Sequence, residues 1–173
     1  MVAYVFSHRP AEGADIAAYE DSLRRFHSEL AKAALSGFVD SATFSVGAGY
    51  SDWYLLENTA AMEVLNAAAV SGARASAHDS AAKVSADGAG KLLSLVSGKA
   101  SMDDGFEVRF GKPKGMAYDN LYAKLETWTL GPGVSLWRRM MVLGPPPEFC
   151  FITPSKVDLP PEMHPEVLER RRI

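Results

Sequence analysis

The first apolar run, Val2-Ala3-Tyr4-Val5-Phe6-Ser7, is short, β-branched and aromatic, and Arg9-Pro10 closes it, so it predicts a strand. Ile16, Tyr19, Leu23, Phe26 and Leu30 then recur at intervals of three and four. That spacing is one apolar stripe of a helix over about 14–35, with Asp15 as its cap and Gly37 as its stop. Phe38 to Val46 alternates. Read without interruption, it sends Phe38, Ala42 and Phe44 to one face, and Val39, Ser41, Thr43 and Ser45 to the other. After the Gly47-Ala48-Gly49 turn, Asp52–Glu57 reads as a third strand, and Asn58 or Thr59 caps a helix carrying Met62, Leu65, Ala69 and Val70. Residues 71–90 are small and polar and read as broken helix, with helical spacing resuming at Leu92, Leu93, Leu95 and Val96. Phe106–Phe110 is a fourth strand. Beyond it the pattern predicts a helix near 117–128, strands at 135–143 and 148–152, a short acidic helix, and a solvated Arg170-Arg171-Arg172 tail.

The order to residue 111 is β-α-β-β-α-β, a ferredoxin-like α+β arrangement with an antiparallel sheet and helices on one face. Most alanines lie at or before Ala100, and all but one proline at or after Pro113. Alanine favours helix and proline interrupts ladders, so a core module over 1–111 and a Pro-rich C-terminal extension over 112–173, packed on it, are expected. No internal repeat is evident in the residues.

On this reading the sheet face away from the helices carries Val5, Ser41, Thr43, Trp53, Glu57, Glu107 and Arg109. So neutral a face calls for cover, by the extension or by a second copy of the chain. Here the strand order, the helix lengths and the passage from Asp52–Glu57 into the helix with Met62 and Leu65 resemble the dimeric α/β-barrel superfamily, over about 1–111. The resemblance implies a homodimer closed sheet to sheet, and relatives that include cofactor-free monooxygenases and haem-degrading oxygenases. The extension departs from that pattern.

Charge and composition narrow the classes. With 18 Lys and Arg against 21 Asp and Glu, the formal charge is −3, and 47% of residues are hydrophobic. Neither a strongly basic nucleic-acid binder nor a disordered chain fits, and no apolar run is long enough for a membrane span. No basic region precedes the apolar N-terminus, so a signal peptide is not read there and a cytoplasmic protein is expected. The single Cys150, between Phe149 and Phe151, reads as a buried, unactivated thiol. No metal-ligand spacing, nucleophile elbow or nucleotide-binding glycine pattern occurs, so no metal and no resident cofactor are implied.

Candidate chemistry rests on scattered residues. His27, at the edge of the apolar stripe, is either a boundary histidine or an acid/base at a sheet pocket. His8 ends the first strand, His78 and Asp79 diverge around the broken helix, and His164 lies in a proline-flanked tail. Arg138 and Arg139 point to opposite faces of an apolar strand. One would pair with Glu148 or Glu57, unless it binds an anion in a pocket with Trp53 or Trp137. The resulting expectation is a protein that binds a small organic ligand in a sheet-lined cavity. Ser41, Thr43, Trp53, Glu57, Arg109, Trp137 and Glu148 would line it, and His27 and Arg138 would be catalytic if it is an enzyme, one without a cofactor. The alternatives are a non-enzymatic structural or interaction module whose extension fills that space, and a haem-binding protein.

Overall fold

A computed structural model describes residues 1–129 and 131–173. In chain order the strands are β1 (Val2–Pro10), β2 (Phe38–Val46), β3 (Gly49–Leu56), β4 (Ser85–Gly98), β5 (Gly105–Phe110), β6 (Ser135–Arg139), β7 (Phe149–Thr153) and β8 (Glu166–Arg172). The helices are α1 (Ile16–Lys32), α2 (Ala61–Ala69), α3 (Gly72–Ala82) and α4 (Tyr118–Thr129). Among the described residues every strand pair is antiparallel, and the sheet closes into a barrel in the order β1-β3-β2-β8-β5-β7-β6-β4.

The order β4-β1-β3-β2 recurs as β8-β5-β7-β6, so the ferredoxin-like arrangement occurs twice in one chain. The sheet face that asked for cover is covered by residues 105–173 of the same molecule, not by a second copy. Ala3, Val5, Ala42, Phe44, Trp53 and Leu55 pack inside the barrel against Leu93, Trp137, Cys150 and Ile152. α1, α2 and α3 lie outside the first half-sheet over Val2, Tyr54 and Leu56. α4 lies outside the second over Val108, Phe110 and Phe149.

Three sequence expectations change. The fourth strand of the first half is β4, not 106–110, which instead starts the second half by pairing with β7 and β8. Helix was read over 92–96 because an alternating strand buried on both faces shows no clean alternation. Leu93 faces the barrel interior, while Leu92 packs under the helices. Gly88 and Gly90 are not breakers but gaps: a Cβ would sit 2.6 Å from the Phe6 ring and 2.5 Å from the Tyr4 hydroxyl.

Next, β2 pairs Phe38 with Leu56 but Asp40 with Leu55, so Val39 is an extra residue, a β-bulge. Because side chains alternate with a period of two, that residue inverts every face after it. Ser41 and Thr43 turn toward the helices and Ala42, Phe44 and Val46 turn into the barrel. Deleting Val39 should drag Phe38 from its place under the helices, since Ser41 to Val46 are held by β3 and β8. The expected cost is about 1.5–3 kcal/mol, one large apolar side chain, read as a lower denaturant midpoint.

Finally, the C-terminal arginines are not a solvated tail. Arg170 is 1% exposed inside the barrel, its guanidinium 3.4 Å from the Phe44 ring centroid and 5.1 Å from that of Trp53. Burial pushes it down to about 10, which still leaves it charged near neutral pH.

Candidate functional site

The helix side of the first half-sheet holds the chemistry. In the β1–β3 register Phe6 lies opposite Asp52 and His8 opposite Tyr50. Alternation therefore places Tyr4, Phe6, His8, Asp52 and Tyr54 on one face. α1 lowers Tyr19, Leu23, Phe26 and His27 onto it, held at its start by the Asp15 carboxylate accepting from the Ala18 N–H. A second bulge, at Asp87 and Gly88 opposite His8, bends β4 away. Between sheet and helices remains a cavity of about 740 Å³. Tyr4, Phe6, His8, Asp52 and Tyr54 form its floor, Phe26, Leu65 and Ala69 its walls, and Asn66, His78 and Asp87 its rim.

Asp52, 4% exposed, is the centre of a buried cluster. Its Oδ1 accepts from Thr43 Oγ1 at 2.5 Å, and its Oδ2 from the Tyr54 hydroxyl at 3.4 Å. His8 Nε2 lies 3.2 Å from Oδ2 and His27 Nε2 3.5 Å from Oδ1. Neither imidazole N–H is aligned well enough for a hydrogen bond, so these are contacts between charges or dipoles. Burial alone would raise the Asp52 carboxyl, but the two imidazoles outweigh it and hold it well below the usual carboxylate range. The phenols of Tyr4 and Tyr54 are raised by burial and by the Asp52 charge, so they remain donors.

Proton accounting fixes the histidines. Ser85 Oγ donates to the Ala81 carbonyl at 2.9 Å, so it can only accept from the Tyr19 hydroxyl, also at 2.9 Å. Tyr19 then accepts from His8 Nδ1 at 2.5 Å. With a proton on Nδ1, a neutral His8 would turn a lone pair toward the Asp52 carboxylate. An imidazolium with a second proton on Nε2 removes that clash. For His27, Ser41 Oγ lies 2.7 Å from Nδ1 and can donate, which leaves Nε2–H facing Asp52 on the neutral ring.

The residues expected from sequence do not share one site. His27 joins the cluster but stands behind Asp52, not in the cavity wall. Ser41 and Thr43, turned by the bulge, support His27 and Asp52. Trp53 and Trp137 fill the barrel interior, 5.6 Å apart, and Arg109 lies at the barrel mouth. Glu57 is exposed after β3. Arg138 and Glu148 pair at 2.8 Å outside the second half, the guanidinium 3.8 Å from the Tyr118 ring centroid. Cys150 is buried and its thiol is pushed up by burial, as a structural cysteine requires.

The residues sequence reasoning missed are Asp52, His8, Tyr19 and Tyr54. One signal was present: the alternation that put Tyr4, Phe6, Tyr54 and Leu56 under the helices put His8 and Asp52 there too. An acid and a histidine on an otherwise apolar face require each other, but the register that joins them is not local.

No family model and no curated protein matches the chain. Its fold is similar to that of a proposed monooxygenase from Lactobacillus acidophilus NCFM, at 11% identity and a TM-score of 0.57, over 98% of this chain and 76% of that one. A proposed chlorite dismutase is similar at 13% identity and a TM-score of 0.57, over 99% and 94%. These likenesses place the chain among α/β-barrels of ferredoxin-like halves and carry nothing beyond fold. Among the described residues no helix is long and apolar enough to cross a membrane, and no trio of ligating side chains is arranged to hold a metal ion. A haem would need an imidazole open to the cavity. His8 and His27 both turn Nε2 to Asp52 and bind a hydroxyl through Nδ1, so neither fits an axial ligand, whereas His78 at the rim holds Asp79 through Nδ1 alone, a contact compatible with ligation through Nε2.

Proposed function

We propose that the protein binds a small, largely apolar organic molecule in the helix-side cavity and catalyses proton transfer on it without a cofactor. The observation that carries this reading is the buried His8–Asp52 pair on the floor of an apolar cavity of about 740 Å³, within the usual size of small-molecule sites. The proton of the pair would lie between His8 Nε2 and Asp52 Oδ2, both residues lining the cavity floor, and the first act of the pair is to deliver it to a substrate oxygen there. Once it has gone, Asp52 loses one of the two imidazole partners that hold its carboxyl low and becomes a stronger base beside the same substrate. Acid and base are thus one coupled pair. His27, Thr43 and Tyr54 are positioning residues that fix the carboxylate. The monooxygenase among the fold neighbours makes dioxygen a co-substrate to test: SH2 + O2 → SO + H2O begins with removal of a substrate proton.

A probe matched to the cavity is 2-tetralone, a bicyclic ketone with acidic α-hydrogens. Exchange of those hydrogens in D2O, followed by NMR, should run above the buffer rate. His8→Asn should remove roughly 10²–10⁴-fold of that acceleration, and Leu65→Trp, which narrows the cavity at its wall, should weaken binding. Exchange at the buffer rate despite saturable binding would leave a binding protein without chemistry. Exchange that His8→Asn leaves untouched would remove His8 from the site.

A further inference from the structure

A second cavity, of about 220 Å³, opens at the barrel mouth, remote in chemistry from the helix-side site. It is enclosed by the inner faces of β1, β4, β5 and β7 and by the Pro145-Pro146-Pro147 turn. Two of its lining side chains are almost wholly buried and leave a polar atom without a hydrogen-bond partner. Glu107 is 3% exposed and its Oε2 is unpartnered. Trp53 is 1% exposed and its indole N–H is unpartnered. Buried polar atoms are rarely left unmet, because each costs its full desolvation. One acceptor and one donor without partners therefore belong to side chains that line the same space.

The charges specify the visitor. Arg109 is already satisfied, its Nε donating to Glu107 Oε1 at 2.6 Å and its Nη1 lying 3.8 Å from Glu166 Oε2. That bond also fixes the carboxylate so that Oε2 is the free atom. Lys91 is different. Its Nζ donates to the Pro147 carbonyl at 3.2 Å and, among the described residues, pairs with no carboxylate. Burial, with the nearby Arg109 and Arg139 charges, makes its cation less favourable, an effect that Glu107 offsets only in part and that an incoming anion would oppose further. Cys150, the nearest acidic proton, is held neutral by burial and cannot serve. The site thus offers one unpaired cation, one free donor and one free acceptor. About 220 Å³ is room for several water molecules or for a small organic acid.

We propose that the barrel mouth is a binding site for a small hydroxycarboxylate, whose carboxylate is held by Lys91 and the Trp53 indole N–H and whose hydroxyl donates to Glu107 Oε2. Neither group alone meets all three needs: a bare carboxylate leaves Glu107 unmet, and an alcohol leaves Lys91 unmet.

The test is calorimetric titration of the full chain with glycolate and with acetate, beside ¹H–¹⁵N spectra in which Trp53→Phe identifies the indole signal. Glycolate should bind one to one and shift the Trp53 indole N–H. Acetate, lacking the hydroxyl, should bind roughly ten- to a hundredfold more weakly. Lys91→Met, at a half-buried position that tolerates an apolar stem, should abolish binding while the rest of the spectrum stays folded. Leu65→Trp, in the other cavity, should change nothing. Equal affinity for both acids, an unmoved indole signal, or binding that survives Lys91→Met would each overturn the assignment.

Discussion

Asp52→Ala should lower the stability of the protein by about 3–5 kcal/mol near neutral pH, the usual cost of breaking a buried ion pair by removing one partner. The substitution removes the carboxylate that faces His8 and His27 and takes an acceptor from Thr43 and from Tyr54. Asp52→Asn keeps the volume and one carbonyl acceptor and should cost less. The pH dependence carries a sign. The folded carboxyl is held below its unfolded value of roughly 4. Its contribution is therefore complete above that pH and is lost as pH falls toward the folded value. Denaturant midpoints at pH 7 and pH 3 should show native and Asp52→Ala proteins converging in acid. A difference that stays constant with pH would mean that Asp52 is not an ionised partner of His8.

The centrality of Asp52 explains what the sequence could and could not disclose. The first half was legible where its signals are local. Helix α1 follows the stripe Tyr19, Leu23, Phe26 and Leu30, with Asp15 capping it as expected, although Ile16, read as part of that stripe, is 48% exposed. β1, β3, β5 and β7 fall where aromatic and β-branched runs put them. Two non-local facts were out of reach. One added residue, Val39, inverts the faces of β2, and nothing in its side chain announces a bulge. The second is that β8 looks polar: Glu166, Glu169, Arg171 and Arg172 are what solvent would accept. Of its charged residues Arg170 is the one buried in the barrel, beside Leu168, and its charge disguises a core position that cation–π contacts with Phe44 and Trp53 make possible. Missing β8 and β4 as strands turned a closed barrel into an open sheet with an extension. The face that the sequence pattern offers to a ligand is the one that the chain itself fills.

A chain ended after Met163 should therefore lose its cooperative fold, although only ten residues are removed. β8 joins β2 to β5, with Phe44, Ser45 and Val46 paired on one side and Gly105 to Arg109 on the other. Without it the barrel opens along a seam, and both strands are left with unpaired backbone groups that template association. Phe44 and Trp53, each almost fully buried, lose the Arg170 stem and Leu168 that cover them. At about 1.5–3 kcal/mol for each large side chain uncovered, plus the lost ladder, the damage is comparable to the whole ~5–15 kcal/mol by which a domain is stable. Near-ultraviolet circular dichroism should lose the signal of the Trp53–Trp137 pair, and sedimentation should show association. Arg170→Met separates the strand from its charge. It keeps β8 and offers an apolar stem in place of a buried cation, an exchange that is often neutral or stabilising, so its midpoint should stay within about 1 kcal/mol of native. A truncated chain that melts cooperatively at the native midpoint would show that β8 does not close the barrel. A collapse on Arg170→Met equal to that of truncation would instead place the closing energy in the guanidinium and not in the strand.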